Sequence, residues 1–286
     1  MQISQHTLAL LHCTKTTENM TKITHQTAEI AELTAFALTL AQVSGEAILP
    51  HFRKPLSVEN KLDKGWDPVT EGDRAAERAI RALIEKHYPT HGIIGEEFGT
   101  RQGTSAYTWV LDPIDGTRAF VIGLPIWTTL IGLYRDGKPF LGLMNQPYVG
   151  ELFYGTPEGA FWWRGGEQQQ IHVAAPKPLA QALAGTTSPH LFQPEEKLHA
   201  LRNKVRLMRY GGDAYFFSLM AAGHVDIALD AGLQIYDIAA LIPIIRGAGG
   251  VIGTWDGKDE HQGGNILAAS CQSLFDEAKA LLNNGA

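Results

Sequence analysis

The sequence predicts an α+β fold, in which helices and strands follow one another without a regular repeat. The 286 residues are enough to bury a large core, in one domain or in two that share a cleft. A hydrophobic content of 44% with 19% charged residues argues against a disordered chain. Strand patterns cluster in the middle of the chain between helical patterns, unlike the strict alternation of a doubly wound parallel sheet.

The chain begins with helical patterns. Apolar residues recur at three- and four-residue spacing over residues 27–52 and again over residues 73–87, which predicts two helices. The polar segment between them, residues 57–72, contains glycine and proline and is typical of a hairpin or loop. Residues 1–26 are polar and rich in threonine, so we expect a mobile tail there.

Strand patterns dominate the middle of the chain, and the second half is mixed. The predicted strands comprise residues 92–95, 107–111, 128–134, 138–145, 151–154, 159–163, 226–229 and 265–269. Asp136-Gly137 is a strong hairpin-turn signal between two of them. The predicted helices of the second half comprise residues 214–222, 237–247 and 272–282.

The composition argues against several classes of protein. A formal net charge of −6 disfavours non-specific binding to nucleic acid. The two cysteines, Cys13 and Cys271, form neither a disulfide framework nor a zinc site, which favours a reducing, cytoplasmic location. The longest apolar runs, such as residues 238–245, are far shorter than the roughly 20 residues of a membrane helix, so we expect no membrane span.

The richest chemical motif is Asp112-Pro113-Ile114-Asp115-Gly116-Thr117. An apolar strand ends at its first carboxylate, Pro113 favours a turn, and backbone N–H groups after Gly116 are suited to an anion. Two close carboxylates repel each other unless a cation lies between them. A bare Asp-x-x-Asp is usually only a turn, but this complete string after a strand favours a hard divalent metal, with Mg²⁺ as first choice.

Three further acids are candidates for the same site. Glu96 ends the preceding strand, Asp237 begins an apolar helix, and Asp73 precedes the helix over residues 73–87. Each has a simpler alternative. Glu96 belongs to a Glu pair of a kind that is usually solvent-exposed, and the two aspartates are also typical helix caps.

These motifs together resemble the inositol monophosphatase superfamily. The resemblance rests on the Asp112–Thr117 string, Gly95-Glu96-Glu97, Val69-Thr70-Glu71-Gly72-Asp73 and the Tyr236-Asp237 element followed by Ala248-Gly249-Gly250, in the family's order over about residues 28–284. It implies a layered α/β/α/β/α sandwich, with an N-terminal half over residues 27–155 and a C-terminal half over residues 156–286. It also implies two or three Mg²⁺ ions per site and a homodimer.

The resemblance assigns roles to individual residues. The implied metal ligands are four carboxylates and one backbone carbonyl, those of Glu96, Asp112, Asp115, Asp237 and Ile114. Gly116 and Thr117 match the phosphate-binding turn, and Asp73 with Thr117 matches the pair that activates the attacking water together with Glu96. Lys61 matches a basic residue near the outer metal, with an ordinary solvated lysine as the alternative.

Residues outside this core resemble the histidinol-phosphatase branch. They are Arg118, the segment from Arg209 to Asp213, and the Leu-Ile-Pro sequence that follows Ala240. Asp213 or Asp230 is expected to pair with the substrate's ammonium group, and Arg118 and Arg209 with a phosphate oxygen or with the acidic groups. The alternatives are structural ion pairs for both arginines and a turn residue for Asp230.

The predicted function is a Mg²⁺-dependent phosphomonoester hydrolase that releases histidinol from histidinol phosphate. An inositol-1-monophosphatase or a broad-specificity sugar-phosphate phosphatase is the near alternative, and a nucleotide 3′-phosphatase is a more distant one. A non-catalytic protein that retains the fold is disfavoured, because every expected carboxylate is present. The expected partner is a small phosphate monoester, without nucleic acid or membrane.

Overall fold

The structure, a computed structural model, describes residues 5–55, 58–60 and 68–284. The chain divides into two compact units, Met1–Thr39 and Leu40–Ala286. The first helix, α1 (Gln5–Ile48), begins within the expected tail, where residues 5–26 contain neither glycine nor proline to end a helix. That the tail is mobile stays a prediction.

The second unit contains seven further helices among the residues that the structure describes, and two sheets. The helices are α2 (Glu71–His87), α3 (Thr117–Val121), α4 (Glu196–Arg202), α5 (Asp213–Ala221), α6 (Ile235–Ile238), α7 (Leu241–Gly247) and α8 (Gln272–Asn284). Short 3₁₀ helices are Leu179–Gln181, Pro189–Leu191 and Glu260–Gln262. No helix within the described residues has both the length and the apolar character needed to cross a membrane.

The strands of the first half begin with a short antiparallel pair, β1 (Val58–Asn60) and β2 (Pro68–Thr70), inside the segment expected to be a hairpin or loop. Eight others form one sheet: β3 (Gly92–Gly95), β4 (Gly99–Arg101), β5 (Tyr107–Asp115), β6 (Thr128–Arg135), β7 (Lys138–Gln146), β8 (Glu151–Thr156), β9 (Gly159–Arg164) and β10 (Glu167–Ile171). Their order is β10-β9-β8-β7-β6-β5-β3-β4, and only β3 and β5 pair in parallel.

The second sheet contains β11 (Leu183–Thr186), β12 (Leu207–Tyr210), β13 (Ile227–Leu233), β14 (Val251–Thr254) and β15 (Gly264–Ala269). Their order is β12-β11-β13-β15-β14, with parallel pairing of β11 to both of its neighbours. Judged by sheet membership, the chain divides between Ile171 and Leu183. The expected boundary between residues 155 and 156 therefore falls inside the first sheet, because β8 and β9 form a hairpin.

The layers of the second unit alternate between helix and sheet, which confirms the predicted α+β sandwich. Helix α2 packs on one face of the eight-stranded sheet, and α7 packs on the opposite face as well as on β14 of the second sheet. Helix α8 covers the outer face of the second sheet together with α4. Gly142 and Gly155 allow α7 to lie close to the first sheet, since a Cβ at either position would overlap the backbone of Ala240 or Pro243.

Two features of the second half differ from the prediction. The helix expected over residues 237–247 is divided into α6 and α7, because Pro243 has no N–H to donate to the Ala239 carbonyl. Helix α4 and several strands were not predicted: β4, β10, β11, β12 and β14. They are short, and their residues lack a clear period-two pattern.

Candidate active site

A cavity of about 240 Å³ opens at the ends of β5 and β13. Most of the site residues predicted from the sequence line it: Glu96, Asp112, Ile114, Asp115, Gly116, Thr117, Arg118, Asp213, Asp230 and Asp237. Thr187 and apolar side chains that include Leu191, Phe217 and Leu233 complete the lining. The cavity is therefore strongly acidic on one side and partly apolar on the other.

Strand β5 delivers Asp112 and Asp115 to this cavity through an irregularity in its pairing with β6. Asp112 is opposite Leu130 and Asp115 is opposite Thr128, so β5 has one residue more than β6 over this interval. In a regular strand, residues three apart face opposite sides of the sheet. The extra residue brings both carboxylates to the same side, as bulges beside functional sites commonly do.

Asp237 comes from the second half of the chain, in the first turn of α6. Its Oδ2 accepts a hydrogen bond from the Gln234 N–H at 2.7 Å, within a capping box that Gln234 completes. The same carboxylate lines the cavity. Its two alternative interpretations, a helix cap and a site residue, are thus both present in one side chain.

Three carboxylates converge at the bottom of the cavity. One oxygen each of Asp112, Asp115 and Asp237 lies within 4.8 Å of the others. Asp112 is only 2% exposed, and its Oδ1 is buried without a hydrogen-bond partner. This donor set fits a hard divalent cation, which would satisfy the unpartnered oxygen and offset the crowding of negative charge.

The electrostatics of the cluster are unfavourable for three ionised groups without a cation. Burial raises the pKa of Asp112 well above its ordinary value, and the charges of Glu96, Asp115 and Asp237 raise it further. Burial also raises the pKa of Asp115, followed by the charges of Asp213 and Asp237. Shifts of this size from clustered charges are typical of functional sites.

Glu96 is placed beside Asp112 by the parallel pairing of β3 with β5. Gly95 is opposite Leu111, and the Glu96 N–H donates to the Leu111 carbonyl at 3.2 Å. Glu96 therefore directly follows the strand that neighbours Asp112, and its charge contributes to the raised pKa of that residue.

The turn after Asp115 has the conformation that its glycine predicts. Gly116 has a φ of 79°, in the left-handed region, and α3 begins at the next residue. The Thr117 hydroxyl donates to the Ile114 carbonyl at 3.0 Å. The first N–H groups of a helix have no partner within the helix, which is consistent with an anion at this turn.

Asp213 and Arg118 lie on the side of the cavity nearest this turn. A Cβ at Gly116 would be 3.2 Å from Asp213 Oδ2, and Asp213 itself has a φ of 43°. Burial raises the pKa of Asp213, while a hydrogen bond from Thr187 and the charge of Arg118 oppose the rise. Asp213 is thus a carboxylate beside the predicted phosphate turn but outside the group of three.

Asp230 has a different environment from Asp213. Its Oδ1 accepts from the Thr186 hydroxyl at 2.6 Å and from the Thr187 N–H at 2.8 Å, and its Oδ2 accepts from the Thr187 hydroxyl at 2.8 Å. Burial nevertheless raises the pKa of Asp230 to about 7. Both of its oxygens are engaged by protein donors, so its geometry supports the neighbouring threonines more than a substrate ammonium group.

Three predicted site residues are not brought into the cavity lining. Asp73 accepts from the Thr70 N–H at 2.8 Å and the Thr70 hydroxyl at 2.6 Å as part of the capping box of α2. Its carboxylate and the Thr117 hydroxyl therefore have different partners. Arg209 is exposed on β12 at the edge of the second sheet. Lys61 lies outside the described residues.

Comparison with known proteins decides the family of this chain. Residues 29–284 match the Inositol monophosphatase family. The chain belongs to the inositol monophosphatase family. It is thus a phosphatase of a metal-dependent family whose substrates are phosphate monoesters, and its Asp112, Asp115 and Asp237 form a cluster able to hold a metal.

Individual relatives of the family carry two kinds of name. The chain is 44% identical over 80% of its length to a bifunctional phosphatase IMPL2, chloroplastic, of Arabidopsis thaliana, of which it spans 66%. It is 34% identical over 87% of its length to a histidinol-phosphatase of Chlorobaculum parvum, of which it spans 96%. A solved inositol monophosphatase from Zymomonas mobilis has a TM-score of 0.78 and 38% identity, covering 89% of this chain and 98% of its own.

Within this family member, sequence reasoning missed Thr187 and the Ala214 N–H. Thr187 connects Asp230 to the cavity, and the Ala214 N–H donates to Asp115 Oδ2 at 2.9 Å. Neither has a motif of its own. A polar Thr-Thr pair after a short apolar run, residues 183–185, was the available signal, and the burial of β11 makes it meaningful.

Proposed function

We propose that this chain is a Mg²⁺-dependent phosphatase of histidinol phosphate. The family supplies the reaction class, and a relative named histidinol-phosphatase supplies one candidate substrate. The observation that carries the narrower proposal is Asp213, a carboxylate beside the phosphate turn that does not belong to the group of three. Histidinol phosphate has an ammonium group for such a carboxylate, whereas inositol 1-phosphate has only hydroxyl groups on its alcohol.

The proposed metal site uses residues that the structure brings together. Asp112, Asp115 and Asp237 would hold Mg²⁺ with Glu96 and the Ile114 carbonyl. When bound, divalent cations neutralise phosphoryl oxygens and acidify a nearby water molecule. The unpartnered Oδ1 of Asp112 supports this assignment more directly than the number of acids in the cavity, since clustered acids also occur without a metal.

The proposed roles of the remaining residues follow from their positions. Backbone N–H groups at Gly116 and Thr117 would hold phosphate oxygens. Glu96 would accept the proton of the attacking water, and the Thr117 hydroxyl would orient that water while its own hydrogen is donated to Ile114. Asp73 is assigned to the cap of α2, whose position it fixes, and not to direct contact with the water.

The proposed alcohol site lies around Asp213. The ammonium group would pair with the Asp213 carboxylate, and its charge would help to keep that carboxylate ionised despite burial. Arg118 would contact a phosphate oxygen and compensate the nearby acids. Leu191 and Leu233 offer apolar contact for the carbon atoms of the substrate. The homodimer and the cytoplasmic location implied by the family resemblance remain part of this proposal.

The experiment is a comparison of kcat/KM for histidinol phosphate and inositol 1-phosphate with Mg²⁺. We expect histidinol phosphate to be preferred, and we expect Asp213→Asn to lower its kcat/KM by about tenfold while leaving the inositol ester within about twofold, a difference of about 1.4 kcal/mol. Asp276→Asn, at an exposed carboxylate on α8, is the matched control. A higher kcat/KM for inositol 1-phosphate would instead support the inositol-1-monophosphatase alternative.

A further inference from the structure

A fully buried carboxylate lies outside the active-site cavity, on α2. The side chain of Glu77 has no solvent exposure. Its Oε1 accepts from Arg81 Nε at 2.7 Å and from the Phe98 N–H at 3.1 Å, and its Oε2 accepts from the Glu97 N–H at 2.8 Å. A buried charge is costly unless it is paired and hydrogen-bonded, and this one has three donors.

The donors of Glu77 belong to the loop that carries Glu96. The Glu97 and Phe98 N–H groups directly follow Glu96 in the chain. On the other side, the Glu96 N–H is fixed to the Leu111 carbonyl, one residue before Asp112. The backbone of Glu96 is therefore held on both sides, by β5 and by Glu77.

The residue before Glu96 has to be glycine for this arrangement. A Cβ at Gly95 would overlap Glu77 Oε1 and crowd Arg81 Nη2. The glycine of the Gly95-Glu96-Glu97 motif therefore leaves space for the buried carboxylate to reach the loop, a role that is separate from any contact with metal or substrate.

Two arginines of α2 hold the rest of the same loop. Arg81 donates to the Gly99 carbonyl as well as to Glu77. The guanidinium of Arg78 lies 5.7 Å from the centre of the Phe98 ring, within the range of a cation–π contact. Together with Glu77, these side chains fix residues 97–99 to one helix.

We infer that Glu77 is a positioning residue, which aims Glu96 at the carboxylate cluster by holding the backbone that follows it. The inference rests on the proposed role of Glu96 in the metal site. A simple stabilising ion pair with Arg81 would not require the two loop N–H groups, and buried ion pairs are in general weak sources of stability. The contacts with Glu97 and Phe98 give Glu77 a direct mechanical connection to a proposed metal ligand.

The first test is Glu77→Gln in the full chain, with Mg²⁺ binding to the chelator-treated protein measured by titration calorimetry. A glutamine retains the shape, but its NH₂ must face a second donor, either Arg81 or the Glu97 N–H, so one support of the loop is lost. We expect the Kd for Mg²⁺ to rise about tenfold, the effect typical of losing a group that orients a metal ligand. The matched control is Glu85→Gln, a partly exposed glutamate of the same helix paired with Arg101, which is expected to bind Mg²⁺ as the wild type does.

A second pair of variants tests the same idea if Glu77→Gln folds poorly. Gly95→Ala retains the charge of Glu77 but displaces it, so it is expected to weaken Mg²⁺ binding by a similar factor. In a Glu77→Ala background the space is already empty, and Gly95→Ala is expected to have no further effect on the Kd for Mg²⁺.

The outcomes separate this inference from the proposed function. Wild-type Mg²⁺ affinity in both Glu77→Gln and Gly95→Ala, even with a lowered Tm, would show a merely structural carboxylate and overturn the inference alone. Absence of Mg²⁺ binding by the wild type would overturn the proposed function, and the inference with it. A Kd raised in both variants, with normal binding by Glu85→Gln, is the result that supports it.

Discussion

Replacing Asp112 by asparagine is expected to stabilise the metal-free protein and to abolish its activity. At 4.8 Å, the largest separation within the carboxylate group, two unit charges repel by about 3.5 kcal/mol at an effective dielectric constant of about 20. Its raised pKa means that protonation already relieves part of this repulsion. We therefore expect a net gain of about 1–2 kcal/mol, since the amide can also donate to neighbouring carboxylates.

The assay is thermal unfolding of wild type and Asp112→Asn, each in chelator and in Mg²⁺. In chelator the variant should unfold about 4 °C higher, from about 2–4 °C per kcal/mol for a chain of this size. In Mg²⁺ at about 100 times Kd the wild type gains about 2.7 kcal/mol, whereas the variant gains nothing. Asp276→Asn, exposed on α8, should behave as the wild type in both conditions.

The two signs make this prediction hard to satisfy by accident. A general loss of packing would lower the Tm of Asp112→Asn in chelator. Cooperative unfolding that is still shifted upward by Mg²⁺ in the variant would show that the metal binds elsewhere. Either result would refute the reasoning that Asp112 is a destabilising carboxylate retained for a cation.

Three other predictions concern single groups. In chelator, the raised pKa of Asp230, about 7 against about 3.9 in the unfolded chain, contributes stability that is present at low pH and lost as the pH rises through 7. Urea unfolding across pH should therefore show Asp230→Asn gaining relative to the wild type, and a gap that does not change with pH would contradict this. Thr117→Val should lower kcat by about 100-fold with little change in KM in steady-state assays, because it loses the hydroxyl bonded to Ile114; an unchanged kcat would remove Thr117 from the mechanism. Burial lowers the pKa of His91, whose Nδ1 accepts from Trp109 Nε1 at 3.1 Å, so its contribution should be lost as the pH falls below about 6.5. Urea unfolding followed by tryptophan fluorescence should show the wild type losing its advantage over His91→Gln in that range, and parallel curves would contradict it.

Much of the candidate site could be predicted because its signals are local. The Asp112–Thr117 string combines a strand end, a proline turn and a glycine in the left-handed region, and each of these has a sequence signature. Strand β3 was predicted with its observed bounds, because the flanking glycines and turn residues mark it. The α+β layering and the family are confirmed on this basis.

The rest depends on contacts between distant segments. The extra residue between Asp112 and Asp115 is a property of pairing with β6, which no local pattern of β5 shows. The three donors that engage Asp230 lie on Thr186 and Thr187, more than forty residues away in sequence. Glu77 has the helical spacing of a core position, and its charge is explained only by a loop that lies 20 residues later.

The break between α6 and α7 shows a case in which the local signal was present but underweighted. Apolar periodicity over residues 237–247 favours one helix, and Pro243 marks the point where its hydrogen bonding fails. The consequence matters for the site, because a separate α6 has its own first turn, and Asp237 is at once in that turn and in the cavity.

The central claim is that a divalent cation held by the converging carboxylates is required for phosphate release. The direct measurement is the rate of phosphate release from histidinol phosphate by chelator-treated protein as Mg²⁺ is added back. The account predicts no turnover in chelator, saturable recovery with Mg²⁺, and no recovery for Asp112→Asn. Turnover at an equal rate in chelator and in Mg²⁺ would contradict it.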